Sequence, residues 1–303
     1  MGNGDDMLLK EYFLRTCENC IWKILVALLV IGVGMSMSSC SDSDKNDNAD
    51  INADITKSME VDFINVGKGD CILVTTDKHV MMIDTGYDET SSDVIKYLKE
   101  NGINKIDKMI ITHYDKDHVG GASDIMDSIE VKSIYMPDYE GEGNKYKKFM
   151  KYLNNRNKMN IVNYVTEDIS MNIEGVKVDI FPPQKNNYNT DNDYSLVVKI
   201  TNGMDSFLIP GDAEDKRIDE LLGNEMLKCN VLKVPHHGVL GNNNIQFMEE
   251  AAPQYAIFTS DSEADVSTSL IYALDQMGTE YLFNCYGNIK CISKGEGNIV
   301  ISQ

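Results

Sequence analysis

Four side chains that can bind a metal ion lie within six residues of one another: His113, Asp115, Asp117 and His118. They follow an apolar segment and precede a Gly-Gly pair. Alternate residues of an extended chain share a face, so His113 and Asp115 can point into one pocket. Asp117 and His118 are adjacent and diverge, so we expect them to serve a second metal position beside the first. Because unpaired carboxylates are costly to bury and metal ions neutralise them, this spacing predicts a metal site.

The segments around this run alternate between predicted strands and predicted helices. Apolar, β-branched stretches predict strands at residues 60–66, 71–75, 80–83, 108–112, 131–135, 177–181, 195–201, 206–209, 231–234, 255–259, 281–283, 289–292 and 298–301. Amphipathic stretches predict helices at residues 92–100, 122–129, 145–158, 213–222, 244–251 and 267–277. This order favours an α/β fold with two mixed sheets sandwiched between helices. The acidic and histidine motifs follow strand ends, where ligand sites of layered α/β folds gather.

The N-terminal part of the chain has the pattern of an export signal. Residues 24–33 are apolar, Lys23 precedes them, and small residues lead up to Cys40. The apolar run is shorter than the roughly 20 residues that span a bilayer, so we interpret residues 1–40 as a cleaved signal, with an uncleaved anchor as the alternative. The small residues before Cys40 resemble a bacterial lipoprotein signal. This resemblance implies lipidation of Cys40, export from the cytoplasm and attachment to the membrane of the bacterial cell envelope.

Residues 41–57 are polar, rich in aspartate and poor in apolar side chains. Such a segment cannot bury enough surface to fold, so we predict a disordered tether. Residues 58–303 are then predicted to form a single domain, a length that one α/β domain can have. Near its end, Cys285 and Cys291 flank a turn signal, which leaves open a hairpin disulfide or two free thiols.

The net charge of −20 disfavours unspecific attraction to nucleic acid, whose binding depends on phosphate contacts. Residues 145–158 oppose this trend, because they carry six basic side chains, no acidic one, and interleaved Tyr146, Phe149 and Tyr152. Basic and aromatic side chains together can follow and stack on a single strand. The alternative is an amphipathic helix with a solvated lysine face. In the first case the candidate substrate-binding residues are Lys145, Lys148 and Lys151.

Five motifs follow one another along the chain. They are Val-Gly-Lys-Gly-Asp ending at Asp70, Ile-Asp-Thr-Gly starting at Ile83, the run at residues 113–118, Pro-Gly-Asp ending at Asp212, and Pro-His-His-Gly starting at Pro235. In this order the chain resembles the metallo-β-lactamase superfamily, and most of all the hydrolase domain of the ComEC/Rec2 competence proteins and its secreted stand-alone relatives. The resemblance extends from about residue 60 to the C-terminus. It implies a four-layer αββα sandwich.

The resemblance also implies a dinuclear metal centre that attacks its substrate with a bridging hydroxide. One metal position would take Asp117, His118, His237 and a bridging Asp212, and the other would take His113, Asp115 and the same Asp212. His236 would contact the substrate or protonate the leaving group, so we assign it, together with Asp117, a catalytic role.

Two departures from the superfamily pattern are visible. No histidine lies between His118 and His236, so Asp193 or Asn192 is the candidate for the missing ligand. An oxygen-rich position of this kind makes Mn²⁺ a competitor of Zn²⁺. Relatives also often carry a His-Pro pair after the strand predicted at residues 255–259, and this chain has none there. Asp84 is expected either to orient a ligand histidine or simply to cap a strand.

A dinuclear clamp suits phosphodiesters, so we predict a metal-dependent phosphodiesterase or nuclease with two divalent ions, Zn²⁺ or Mn²⁺. The substrate would be nucleic acid or a cell-wall polymer. The alternative is a catalytically weakened surface lipoprotein that keeps a metal site and acts as a binding module.

Overall fold

The computed structural model describes residues 58–303, and the predicted signal, Cys40 and the predicted tether lie outside the described part. In chain order, the strands are β1 (Met59–Phe63), β2 (Ile72–Thr75), β3 (Val80–Ile83), β4 (Lys105–Ile106), β5 (Lys108–Ile110), β6 (Glu130–Val131), β7 (Ile134–Pro137), β8 (Val162–Val165), β9 (Ile169–Ile173), β10 (Val176–Phe181), β11 (Val197–Asn202), β12 (Asp205–Ile209), β13 (Val231–Lys233), β14 (Tyr255–Phe258), β15 (Glu280–Phe283), β16 (Ile289–Ser293) and β17 (Val300–Ser302). The α-helices are α1 (Ser91–Glu100), α2 (Lys116–Val119), α3 (Ala122–Ser128), α4 (Asn144–Asn155), α5 (Asp215–Leu221), α6 (Asn244–Ala251) and α7 (Thr268–Met277).

Two large mixed sheets form the centre of the described domain. The first has eight strands in the order β17-β16-β1-β2-β3-β5-β7-β8, and the second has seven in the order β15-β14-β13-β12-β11-β10-β9. A separate two-stranded sheet pairs β4 with β6. Neighbouring strands run parallel from β3 through β5 and β7 to β8 in the first sheet, and from β12 through β13 and β14 to β15 in the second.

Three apolar clusters separate four layers. Along β2, Ile72 and Val74 pack between the two sheets, whereas Leu73 faces the opposite way. This alternation follows from the two-residue period of a strand and shows that both faces of the sheet are buried. Side chains of α1, α3 and α4 cover the outer face of the first sheet, and those of α5, α6 and α7 cover the second. The predicted αββα sandwich is therefore confirmed.

Two edge strands, β8 and β9, were not predicted from the sequence. Their side chains are mostly half-buried or exposed and include Asn163, Ser170 and Asn172, so the segments lack the apolar pattern on which strand prediction relies. The hairpin disulfide does not form, because Cys285 and Cys291 are both free thiols. None of the helices within residues 58–303 is long and apolar enough to cross a bilayer.

Candidate metal centre

The motif residues gather where the carboxyl ends of parallel strands meet. Asp84 follows β3, and the run at residues 113–118 follows β5 in the same sheet. Asp212 follows β12 in the other sheet, and His236 and His237 follow β13. Parallel neighbours end at the same edge of a sheet, so these strands bring distant motifs to one place.

Several of these residues have strained backbone conformations. Asp84, His236 and His237 have positive φ angles of 58°, 47° and 54°. Side chains other than glycine rarely adopt this region, and such strain persists where the surrounding structure imposes it, often at functional sites. At the neighbouring Gly238 (φ 89°), a Cβ atom would lie 2.8 Å from the ring of Phe258. Glycine is therefore required where the two histidines turn toward the site.

Asp117, His118, Asp212 and His237 form one compact group. One ligand atom from each lies within 4.8 Å of the others. Oδ2 of Asp212 is 2.9 Å from Nε2 of His237 and 3.3 Å from Nε2 of His118, and Oδ2 of Asp117 is 3.5 Å from Nε2 of His237. This group is the metal position that the sequence predicts most completely, with a carboxylate and an imidazole from each sheet.

Both carboxylates of this group are strongly acidic. Burial alone would raise the pKa of Asp117, but His237 and His118 outweigh it and lower the pKa to about 2. Burial also opposes ionisation of Asp212, yet His237, Lys233 and His118 hold its pKa well below the ordinary value. The two carboxylates are therefore ionised at neutral pH, which is the form that binds divalent cations.

Asp84 lies behind His118 and is completely buried. Its Oδ2 is 2.8 Å from Nδ1 of His118 and accepts a hydrogen bond from the hydroxyl of Thr112, while its Oδ1 accepts one from the Thr112 amide. A carboxylate at Nδ1 holds a ring proton there, so Nε2, on the Asp212 side, is the nitrogen that could bind a metal ion. This geometry is the one that the orienting role requires.

The second predicted position is more open. The His113 ring is buried and lies 4.1 Å from the His118 ring between centroids, so the two positions adjoin. Oδ2 of Asp115 is 3.8 Å from Nε2 of His113, and the Asp115 side chain is 47% exposed. Of the two candidates for the missing ligand, Asp193 accepts a hydrogen bond from the Arg217 amide.

Asn192, the other candidate, is buried, and its Oδ1 has no hydrogen-bond partner. Its Nδ2 donates to Oε1 of Glu214 and lies 3.4 Å from Nε2 of His236, which places the residue beside the centre. Asn192 therefore has a free buried oxygen there, whereas Asp193 is committed to the start of α5.

The donor set fits divalent metal ions. Nε2 of His113 is buried and makes no hydrogen bond within residues 58–303, and Nε2 of His118 and His237 face only the carboxylates of Asp212 and Asp117. Buried polar atoms are rarely left without a partner, so these nitrogens and the ionised carboxylates beside them form a donor set that a divalent cation would satisfy. Imidazole suits Zn²⁺ and carboxylate suits Mn²⁺, so this mixed set accommodates either ion.

His236 points away from the ligand group toward Glu214. Its Nδ1 is 3.3 Å from Oε1 of Glu214, and the same carboxylate accepts hydrogen bonds from Thr190 and Asn192. Burial lowers the pKa of His236 despite the nearby carboxylates. This half-buried imidazole, held between Glu214 and Asn192, lies beside the centre, where a substrate could reach its exposed part.

Three residues near the centre were not identified as site residues from the sequence: Asp70, Lys233 and Thr259. The Lys233 ammonium contacts Asp212, and the Thr259 hydroxyl lies 3.0 Å from Nδ1 of His237 and donates to Asp70. Asp70 belongs to the first motif, and Lys233 ends an apolar strand just before the histidine pair. The presence of a lysine at the end of so apolar a strand was the signal in the sequence that could have identified Lys233.

The basic segment forms the predicted helix, α4, which packs against the core. Tyr146 and Phe149 are buried, and the Tyr152 hydroxyl donates to Asp127, so these rings are not free to stack on bases. Lys145 contacts Asp88, and Lys148 lies 3.6 Å from the same residue and 3.8 Å from Asp124. Lys151 is exposed. The helix therefore has the amphipathic form that the sequence left as its alternative.

Comparison with known proteins agrees with this geometry. The family model described as the metallo-beta-lactamase superfamily matches residues 64–257. Recombination protein 2 of Haemophilus influenzae is 27% identical over 206 residues, and ComE operon protein 3 of Bacillus subtilis is 26% identical over 220 residues. Each match covers 66% of this chain but only 24% and 28% of the respective relative.

Among solved structures, the metallo-beta-lactamase fold protein YhfI from Bacillus subtilis superposes with a TM-score of 0.53 at 13% identity. The match covers 81% of this chain and all of that one. The shared fold and the ordered motifs confirm the predicted family resemblance. The chain spans about a quarter of the length of the curated relatives it matches, so their whole activity does not transfer with the domain.

Proposed function

The chain belongs to the metallo-β-lactamase superfamily, whose members are metal-dependent hydrolases, and on that basis we propose that it hydrolyses phosphodiesters with two divalent ions. The group of Asp117, His118, Asp212 and His237 carries this proposal. It joins ionised carboxylates and buried imidazole nitrogens from both sheets at one sheet edge. His113 and Asp115 lie beside it and supply the second position, with Asn192 as the best-placed additional oxygen.

When bound, two adjacent divalent ions polarise a phosphoryl oxygen and lower the pKa of water. The protein's own residues do the rest. Asp84 holds the ring proton of His118 away from the centre, and Glu214 and Asn192 fix the ring of His236 beside it. His236 is 22% exposed at its side chain, which allows contact with a leaving group.

Two clefts beside the centre differ in charge. One is lined by Asp115 and Asp117 together with Lys116 and Lys145. If metal ions neutralise the two carboxylates, Lys116 leaves this side positive and suited to a phosphate, whereas Lys145 is paired with Asp88.

The other cleft adjoins His236 and is lined by Glu214 and Asp215, with the exposed side chains of Val239 and Leu240. An extended polyanion that crossed both clefts would meet these carboxylates. We therefore favour a short phosphodiester with a single negative charge over a nucleic-acid strand or another extended polyanion.

The test is turnover of a panel of phosphodiesters by the purified protein with Mn²⁺ or Zn²⁺. The panel contains bis-p-nitrophenyl phosphate, a glycerol phosphodiester and single-stranded and double-stranded DNA. Asp117→Ala should reduce kcat by at least about 10²-fold, because it removes a proposed ligand of the first position. Asp127→Ala is the matched control, since this carboxylate pairs with Arg156 on the surface. Activity that survives Asp117→Ala would contradict the metal mechanism.

A metal-binding surface protein without turnover is the second candidate. One observation in its favour is that the second metal position is open, with Asp115 half-exposed. Another is that the region where relatives often carry a His-Pro pair contains Asp261 and no histidine. Asp261 is instead engaged in structure, because its Oδ1 accepts a hydrogen bond from the Lys68 amide. Metal content separates the two candidates: two equivalents with turnover support the enzyme, and one tight equivalent without turnover supports the binding module.

We further propose that the protein acts in the bacterial cell envelope, attached through a lipid on Cys40. The motif before Cys40 supports this placement. Cys40→Ser should move the protein from the membrane fraction to the soluble fraction, and metabolic labelling with a palmitate analogue should disappear in this variant.

A further inference from the structure

Lys233 is completely buried beneath the proposed metal ligands, and among residues 58–303 it is the one lysine in that state. Its Nζ donates to the Gly211 carbonyl at 2.9 Å and to Oδ1 of Asp212 at 3.0 Å, and lies 2.8 Å from Oδ2 of Asp70. An ammonium has three protons, so three oxygens can satisfy it. A buried charge is tolerated only when it is paired and hydrogen-bonded, and this one is.

The contact divides the two oxygens of Asp212 between different partners. Oδ1 is held by Lys233, whereas Oδ2 lies 2.9 Å from Nε2 of His237 and 3.3 Å from Nε2 of His118. Rotation of the carboxylate would break the contact with the ammonium. Lys233 therefore leaves a single oxygen of Asp212 facing the two imidazoles.

The second partner of Lys233 reaches His237 from behind. Oδ1 of Asp70 accepts a hydrogen bond of 2.7 Å from the Thr259 hydroxyl, whose oxygen is 3.0 Å from Nδ1 of His237. Asp70 also lies with Asp84 and His118 in a group whose spacing could hold a metal ion. In this second group, Lys233 already supplies the positive charge that pairs with the Asp70 carboxylate.

We propose that Lys233 is a positioning residue for metal binding. It orients Asp212 directly and His237 through Asp70 and Thr259, so that one buried ammonium aligns ligands from two strand ends. This inference rests on the proposed function only for the identity of the ligands. Its readout is metal affinity, which is independent of turnover.

The experiment is calorimetric titration of the EDTA-treated full chain with Mn²⁺ and, separately, Zn²⁺. Lys233→Met should weaken metal binding by about 10- to 100-fold, the usual effect of removing a group that orients a ligand. Lys199→Met is the matched control, because Lys199 lies in the same sheet and donates to the carbonyls of Met226 and Lys228. The control should change affinity by less than about twofold.

The sign of the effect separates positioning from simple charge. Removal of a cation beside a divalent ion would by itself strengthen binding, because the repulsion between them is lost. Unchanged or tighter binding by a folded Lys233→Met variant would therefore overturn the proposal.

A double variant, Asp70→Asn with Lys233→Met, keeps the test valid if the single variant does not fold. The Asp70→Asn change removes the buried carboxylate that Lys233→Met leaves without a cation. The melting temperature of the double variant should therefore exceed that of Lys233→Met. Its metal affinity should remain at least about tenfold below wild type, because Oδ1 of Asp212 still lacks a donor. Full recovery of affinity would show that Lys233 only compensates charge. Weakened binding in a protein that cleaves no phosphodiester would support this inference while refuting the proposed activity.

Discussion

At the scale of single residues, the centre depends on groups that hold the ligands as much as on the ligands. Asp84, Asp70, Lys233 and Thr259 are all buried, and each contacts a ligand side chain or its immediate partner. Their hydrogen bonds select which atom of each ligand faces the centre. Metal affinity should therefore be sensitive to substitutions that remove no ligand.

Asp84→Ala tests this directly. It removes the carboxylate that receives the Nδ1 proton of His118, so metal affinity should fall by about 10- to 100-fold. Asp62→Ala is a suitable control, since Asp62 is also a buried carboxylate of the first sheet but pairs with Lys290. Calorimetric titration with Mn²⁺ measures both. Equal affinity in Asp84→Ala and wild type would indicate that Asp84 is only a strand cap.

At the scale of elements, α4 shows how packing decides between two interpretations of one segment. Its basic and aromatic side chains are compatible with a single-strand track or with an amphipathic helix. In the fold Phe149 and Leu153 join the core against the first sheet, and the lysines remain at the surface or contact acidic neighbours. The helix is therefore principally a structural layer, with Lys145 alone of its lysines lining the cleft beside Asp115.

Phe149→Ala should lower the free energy of unfolding by about 3–5 kcal/mol, because it leaves a cavity in the core. Lys151→Ala, on the exposed face of the same helix, should change it by less than about 0.5 kcal/mol. Urea denaturation followed by circular dichroism measures both values. A small effect of Phe149→Ala would place α4 outside the core and reopen the single-strand interpretation.

At the scale of the whole domain, the centre joins the two sheets. Asp117 and His118 follow the first sheet, and Asp212 and His237 follow the second, so an ion held by these residues would link the halves of the sandwich. An ion that binds the folded state alone stabilises it by mass action.

Metal ions should therefore raise the melting temperature. At a free concentration of about 100 Kd, binding contributes about 2.7 kcal/mol, which corresponds to about 5–10 °C for a domain of this size. Differential scanning fluorimetry with and without EDTA measures the shift. The variant with both Asp117→Ala and Asp212→Ala should show none, and a shift that persists there would locate the bound ion elsewhere.

Much of the architecture follows from local patterns. Apolar strands and amphipathic helices were enough to predict two sheets between helices, because these patterns reflect burial. The resemblance carried by the five ordered motifs implied the αββα sandwich and the residues that meet at its edge. Edge strands β8 and β9 escaped prediction, because half-exposed strands have no strong apolar pattern. The free state of Cys285 and Cys291 also required the structure, since spacing along the chain does not determine the geometry between two thiols.

The run at residues 113–118 predicts a metal site through spacing alone, since side-chain direction in an extended chain is a local property. The buried residues that orient these ligands are brought to the site only by the tertiary fold. Lys233 is 21 residues from Asp212 and far from Asp70 in the chain, yet its ammonium contacts both. The choice between Asn192 and Asp193 likewise depends on α5, whose first turn takes the Asp193 carboxylate. Contacts between distant segments arise only when the two sheets pack, and so the structure alone identifies the groups that orient the ligands.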